Sequence, residues 1–159
     1  MNPKLSTPIP TLPELATLRR RLACLSYEAL LLIGVVGALI IPLAIFSAFT
    51  NQSVGIPAIR VTVFLGLALY FLWHWQPGRQ TLPMRTWHLH LVTAGGKPPS
   101  LLQLALRYIL AWPSIGLGGI GIVWAVFDRD RQFLHDRLAG TRIIFVPPTT
   151  ASSPPPAGT

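Results

Sequence analysis

The chain has 159 residues, 51% of them apolar and 11% charged, with 13 Lys/Arg against 5 Asp/Glu and a formal charge of +8. A soluble domain is usually about a quarter charged, so the composition argues against a water-surrounded core and for a bilayer, with room for roughly two to four spans of ~20 residues in one domain. Arginine excess in so apolar a chain fits membrane orientation and anionic headgroups; with no nucleic-acid motif or soluble basic helix, nucleic acid is not an expected partner. Cys24 is the single cysteine, which excludes an intrachain disulfide.

Residues 1–12 carry three prolines and no signal-peptide core, and read as a flexible leader. Thr11 and Glu14 have capping-box spacing, which places the start of the first helix there. Arg19, Arg20 and Arg21 precede the uncharged run Ala29–Phe49, and the span is expected over Ala23–Ala48 with a bend at Pro42. Thr50–Pro57 is polar and turn-rich. A second span returns over Val61–Gln76, with Trp73 and Trp75 at the interface, and Pro77-Gly78 stops it.

Thr86–Val92 alternates apolar and polar residues, which predicts a strand. Ala94–Pro99 supplies a turn, and Thr141–Val146 is a second strand-like segment. Because isolated strands are unstable, the two are expected to pair at the cytoplasmic face. Ser100 caps a third helix over Leu101–Trp112, broken at Trp112-Pro113, after which Ser114–Phe127 returns. A single third span over Leu106–Phe127 is the alternative, but it would export Arg129, Arg131, Arg137 and Arg142 together, against the positive-inside bias.

The fold expected is therefore an all-α integral membrane protein: two transmembrane helices, a helix-break-helix element (re-entrant or a third span) and a small cytoplasmic two-stranded β element. The membrane domain covers 13–146, and the Pro/Ser/Thr-rich tail 147–159 reads as disordered.

Chemistry concentrates at two places. Arg21 and Glu28 lie seven residues apart, nearly on one helix face, with Arg20 and Tyr27 one step round. A carboxylate at a span needs a partner, and Arg21, Arg107 or a C-terminal arginine could serve. Glu28 then either changes protonation or binds a cation, or forms a structural ion pair.

Asp128–Arg142 holds three of the five acids and four of the Lys/Arg. His135, Asp136 and Arg137, with His88 and His90 on one strand face, gather three histidines and an aspartate on one side. No HExxH, paired CxxC or nucleophile elbow accompanies them, so neither an enzyme nor a metal or cofactor site is expected. A turn anchored by Asp136, with His135 on backbone, is the plainer reading. Gly140 has the place of a left-handed helix C-terminal glycine, and Asp128 is expected to cap or to pair with Arg129 or Arg131.

The segments RRRLACLSYEALLL, QTLPMRTWHLHLVTAGGKPPS and FDRDRQFLHDRLAGTRII resemble the RDD family of bacterial multi-pass membrane proteins over about residues 19–146. The family is named for an arginine and two aspartates. By position, its arginine falls on Arg20 and its second aspartate on Asp128 or Asp136. Its first aspartate falls on Tyr27, a departure, with Glu28 next door keeping the seven-residue spacing from Arg21.

The resemblance implies a membrane protein with a role in moving a small ion or solute, and the placement of the arginines predicts an inner-membrane protein with both termini cytoplasmic. Its polar site would comprise Arg20, Arg21, Glu28, Asp128, His135, Asp136 and Arg137. Besides the lipid bilayer, self-association through Gly34, Gly37, Ala38, Ala44 and Ala48 or a larger membrane partner is expected. A non-transporting adaptor is the other reading.

Overall fold

The structure, a computed structural model, describes residues 14–117 and 119–147. The leader 1–12 and residues 148–159 of the tail lie outside it. In chain order the elements are β1 (Glu14–Leu15), α1 (Leu18–Thr50), α2 (Ile56–His74), α3 (Leu82–Thr86), β2 (Leu89–Thr93), α4 (Leu101–Gly116), α5 (Ile120–Phe127), α6 (Leu134–Leu138) and β3 (Thr141–Phe145).

Two helices, α1 and α2, are long and apolar enough to cross a bilayer. The 33 residues of α1 extend ~50 Å at 1.5 Å per residue, well beyond a ~30 Å hydrocarbon layer, so its first turns project past the layer. It runs unbroken through Pro42. Asn51 in the left-handed region ends it, and Pro57 opens α2, where a missing amide costs nothing. The antiparallel pair packs closely where Gly66 meets Leu39: a Cβ at Gly66 would stand 2.5 Å from Leu39 Cδ1. Leu30, Ile33, Phe49 and Leu69 point outward, 68–85% exposed, an apolar surface that only lipid or another protein covers comfortably.

The compact core sits at one end of this hairpin. Ala16, Cys24, Trp75, Met84, Leu89 and Ile143 are buried there together, between the helix ends and an antiparallel sheet of order β1-β3-β2. The expected pairing of the two distant strands is present, with Leu89 opposite Phe145 and Thr93 opposite Thr141. A third strand joins them. Glu14 and Leu15 pair with Phe145 and Ile144, so Glu14 does not open a helix as its spacing from Thr11 suggested. The edge of β3 offers amides and carbonyls to an extended chain, and α1 begins only after Thr17.

The strand predicted over 86–92 is also shifted. Thr81 caps α3 by accepting from the Met84 amide at 3.4 Å, and the strand starts at Leu89. His88 stands at positive φ (53°) before it, so it does not share a strand face with His90.

The capping box at Ser100 and Gln103 forms. The expected break at Trp112-Pro113 does not: α4 continues to Gly116, and α5 opens after Gly119, which takes φ +76°. That left-handed conformation is open to glycine at little cost, which makes it a better turning point than a proline that the helix tolerates. The bend between α4 and α5 is 94°.

β2 leads into α4 and α6 into β3, and the two strands pair, so the helix pair leaves the sheet and comes back to it. The Tyr108 hydroxyl donates to the Phe64 carbonyl at 2.6 Å, eleven residues or ~16 Å up α2 from Trp75. The helix pair therefore packs about halfway along α2, and its bend fits either form of the expected element, a re-entrant loop or a broken span.

Its return depends on Gly121, where a Cβ would overlap the Ser114 side chain and lie 3.1 Å from the Ser114 carbonyl oxygen. Gly121→Ala is expected to destabilise the detergent-solubilised protein by about 1–3 kcal/mol, as overpacking does, seen as a lowered melting temperature, whereas Gly37→Ala, with nothing within 4 Å of the new methyl, leaves it unchanged.

Candidate functional site: a buried charged cluster beside the spans

Where the helix ends meet the sheet, α1 contributes Arg21 and Glu28 on one face, both buried. Arg21 is 2% exposed. Its Nη1 donates to the Arg131 carbonyl at 2.9 Å and its Nη2 to the Ile143 carbonyl at 3.3 Å, tying the first turn of α1 to the loop before α6 and to β3. Glu28 lies two turns on, ~10.5 Å along the axis. Its carboxylate accepts from the Tyr70 hydroxyl at 3.0 Å and the Thr81 hydroxyl at 2.6 Å. None of the arginines expected to partner it does so. The return of α2 and the cap of α3 bring two hydroxyls to both carboxylate oxygens instead.

The strongest ion pair crosses from α4 to α6. Arg107 Nε meets Asp136 Oδ1 at 2.6 Å, with side chains 6% and 0% exposed, and the guanidinium lies 4.2 Å from the Trp75 ring centre. A delocalised cation on an aromatic face, with a charge-assisted hydrogen bond at its edge, is well suited to burial. Beside it, His135 Nδ1 stands 3.1 Å from Ser114 Oγ and its Nε2 3.7 Å from Asp136 Oδ1. His135 meets a side chain from α4 rather than backbone, and burial pushes its pKa below the ordinary histidine value.

Asp128 anchors the turn after α5. It accepts from the amides of Asp130 at 3.2 Å and Gln132 at 3.0 Å and pairs with Arg137, not with Arg129 or Arg131, because α6 folds Arg137 back over the turn. The Gln132 amide, followed by the Arg137 guanidinium, holds the Asp128 carboxyl below the usual aspartate range. Gly140 takes φ +65° at the end of α6, as its position predicts.

Of the seven sequence-derived residues, the structure brings Arg21, Glu28 and His135 around one space, with Asp136 buried behind it. Asp128 and Arg137 form a pair in the adjoining turn, and Arg20 lies apart, its guanidinium 3.6 Å over the Phe145 ring. Arg107 completes the group. A lone arginine in an otherwise uncharged helix was the available signal, but spacing alone could not identify Asp136 as its partner. The space is a cavity of ≈ 610 Å³ between α1 and α4, polar at Arg21, Glu28, Arg107 and His135 and apolar elsewhere. Among the described residues no three His, Cys, Asp or Glu side chains converge to hold a metal ion.

Residues 15–140 match the RDD family, most of the chain, with both candidate spans, the bent helix pair and the charged cluster inside the match. The chain belongs to the RDD family. No curated protein and no solved structure matches it. As an RDD protein it is a membrane protein. On α1 the inward-facing residues are Arg21 and Glu28, buried at 2% and 8% exposure, while Tyr27 is 37% exposed.

The Arg107–Asp136 pair has a measurable consequence. Arg107→Met leaves Asp136 buried without its cation and is expected to cost about 3–5 kcal/mol, whereas Arg107→Met combined with Asp136→Leu removes both charges and recovers most of that loss. Thermal melts of the four proteins of this cycle in detergent read the difference.

Proposed function

We propose that this RDD protein takes part in moving a small ion or solute across a bacterial inner membrane, with Arg21, Glu28, Arg107, His135 and Asp136 as its polar site. The observation that carries the reading is the cavity that Arg21, Glu28, Arg107 and His135 border, with Asp136 behind Arg107, directly beside two candidate membrane spans. Ionisable groups held at membrane depth are costly and mark solute or ion pathways. Glu28, held by two hydroxyls and by no cation, is the group best placed to exchange a proton or accept a cation. Two spans and a half-span enclose little volume, so a conducting path requires further copies or a larger membrane partner. The outward Gly34 and Gly37 of α1, which have nothing within 4 Å of a Cβ position, would allow close helix approach. The chain is read as a non-enzyme without cofactor or nucleic-acid partner.

Orientation follows from charge. Arg19, Arg20, Arg79, Arg85, Arg129 and Arg131 flank the sheet end of the molecule, and short basic segments are kept inside, so the sheet and both termini are assigned to the cytoplasm. The same basic face supports a second reading, a non-transporting adaptor that docks partner proteins on its sheet.

Purified protein in liposomes is expected to dissipate an imposed proton or sodium gradient, and Glu28→Gln to reduce the flux to the protein-free background; absence of flux in the wild type, with a stoichiometric partner co-purifying from membranes, would favour the adaptor. Arg129→Cys in a Cys24→Ala background is expected to react with an impermeant maleimide only after the inner membrane is opened. Labelling in intact spheroplasts would reverse the orientation.

A further inference from the structure

We propose that the cavity between α1 and α4 is a binding site for an anionic lipid, entered sideways from the bilayer, with the acidic head held at Arg21 and Arg107. Two observations meet here. First, Arg21 Nε and Arg107 Nη1 are buried donors with no hydrogen-bond acceptor among the described residues, and both arginines, 2% and 5% exposed, border the cavity. A buried guanidinium donor left unmatched is costly; beside Arg107, Asp136 Oδ2 is itself a buried acceptor without a partner among the described residues, and an oxyacid head supplies the acceptor that Arg21 lacks. Second, the remaining wall is apolar and runs from the buried arginines out to the lipid-facing surface. Leu25, Ala29 and Leu32 form it on α1; Ala111, Trp112 and Ile115 form it on α4. Trp112 and Ile115 are 42% and 44% exposed, so the mouth opens between two helices toward hydrocarbon.

One carboxylate, Glu28, borders the same space, and a second, Asp136, lies buried behind Arg107; both would repel an anion. Asp136 is engaged by Arg107 Nε and Glu28 by two hydroxyls. Arg21 has only carbonyl acceptors and meets no carboxylate within ion-pair distance among the described residues. The uncompensated cation therefore lies at the end of the cavity nearest the sheet, where a lipid head resides, and the apolar wall extends from it toward the bilayer interior, where an acyl chain resides. A volume of ≈ 610 Å³ suits a head and part of a chain, within the ~300–1,000 Å³ of ordinary ligand sites. A free anion would match the arginines and leave the apolar wall unused; a zwitterionic head would bring its own cation against Arg21. Occupancy uses the same cavity as the transport reading and does not require flux, so binding without flux overturns transport alone, and flux without binding overturns this proposal alone.

Native mass spectrometry of the full chain released from maltoside micelles tests it, with phosphatidylglycerol, phosphatidylcholine and glycerol 3-phosphate as probes. One phosphatidylglycerol is expected to bind per chain, about tenfold or more tighter than phosphatidylcholine, the scale of one charge-assisted hydrogen bond, and glycerol 3-phosphate is expected not to be retained. Ala29→Trp, which fills the mouth, is expected to weaken phosphatidylglycerol by about tenfold or more, while Leu30→Trp on the outward face, 68% exposed, leaves it unchanged. Arg21→Gln is expected to erase the preference for the anionic lipid. Should Arg21→Gln fail to fold, Ala29→Trp and the lipid comparison decide. Equal retention of phosphatidylcholine, retention of glycerol 3-phosphate as strongly as the lipid, or indifference to Ala29→Trp would each overturn the proposal.

Discussion

The buried pair of Arg107 and Asp136 is the interaction on which the rest of this structure depends. It joins the helix that dips into the membrane to the short helix that returns the chain to the sheet, beneath the Trp75 ring. Leaving either charge alone at this depth would cost several kcal/mol, so α6 has to lie along α4. Its position in turn fixes His135 beside Ser114, brings Arg131 and Ile143 to Arg21, and delivers β3 to the groove between β1 and β2.

The same constraint explains why the sheet exists in so helical a chain. The bent helix pair leaves the sheet and returns to it, and β2 and β3, its two flanks, hydrogen-bond to each other over five residue pairs. Strand pairing satisfies backbone groups that a membrane boundary would otherwise leave to water and lipid headgroups. Arg21 then uses its guanidinium as a strap, donating to two carbonyls of the returning chain. The sheet, the strap and the ion pair close one circuit around a cavity whose polar end holds two of the three buried guanidinium groups that lack a full set of acceptors among the described residues, Arg21 and Arg107.

Such a site is well suited to recognising charge from within the bilayer. Its donors are fixed by packing, its walls are apolar, and its mouth lies between helices whose outer faces contact lipid. Transport and lipid recognition place different demands on it: the first needs a route past Glu28 to the far side, the second only the lateral opening. Both rely on the residues of α1 and α4 that spacing places on facing sides.

Much of this was legible in the sequence alone. The long uncharged runs, the Ser100 cap, the distant strand pairing, Gly140 and the presence of a helix-break-helix element all follow from local periodicity and turn chemistry. Local rules misplaced what long-range partners decide: Glu14 went to a strand because β3 had a free edge, and Pro113 stayed inside a helix because Gly119 and Gly121 allowed the reversal further on. The partners of the charges were decided by tertiary structure. Whether Glu28 met an arginine or two hydroxyls, and whether Asp136 met Arg107, depended on where helices 42 and 29 residues away in sequence came to rest, and an ionisable side chain takes its partner from that arrangement rather than from its neighbours in the chain.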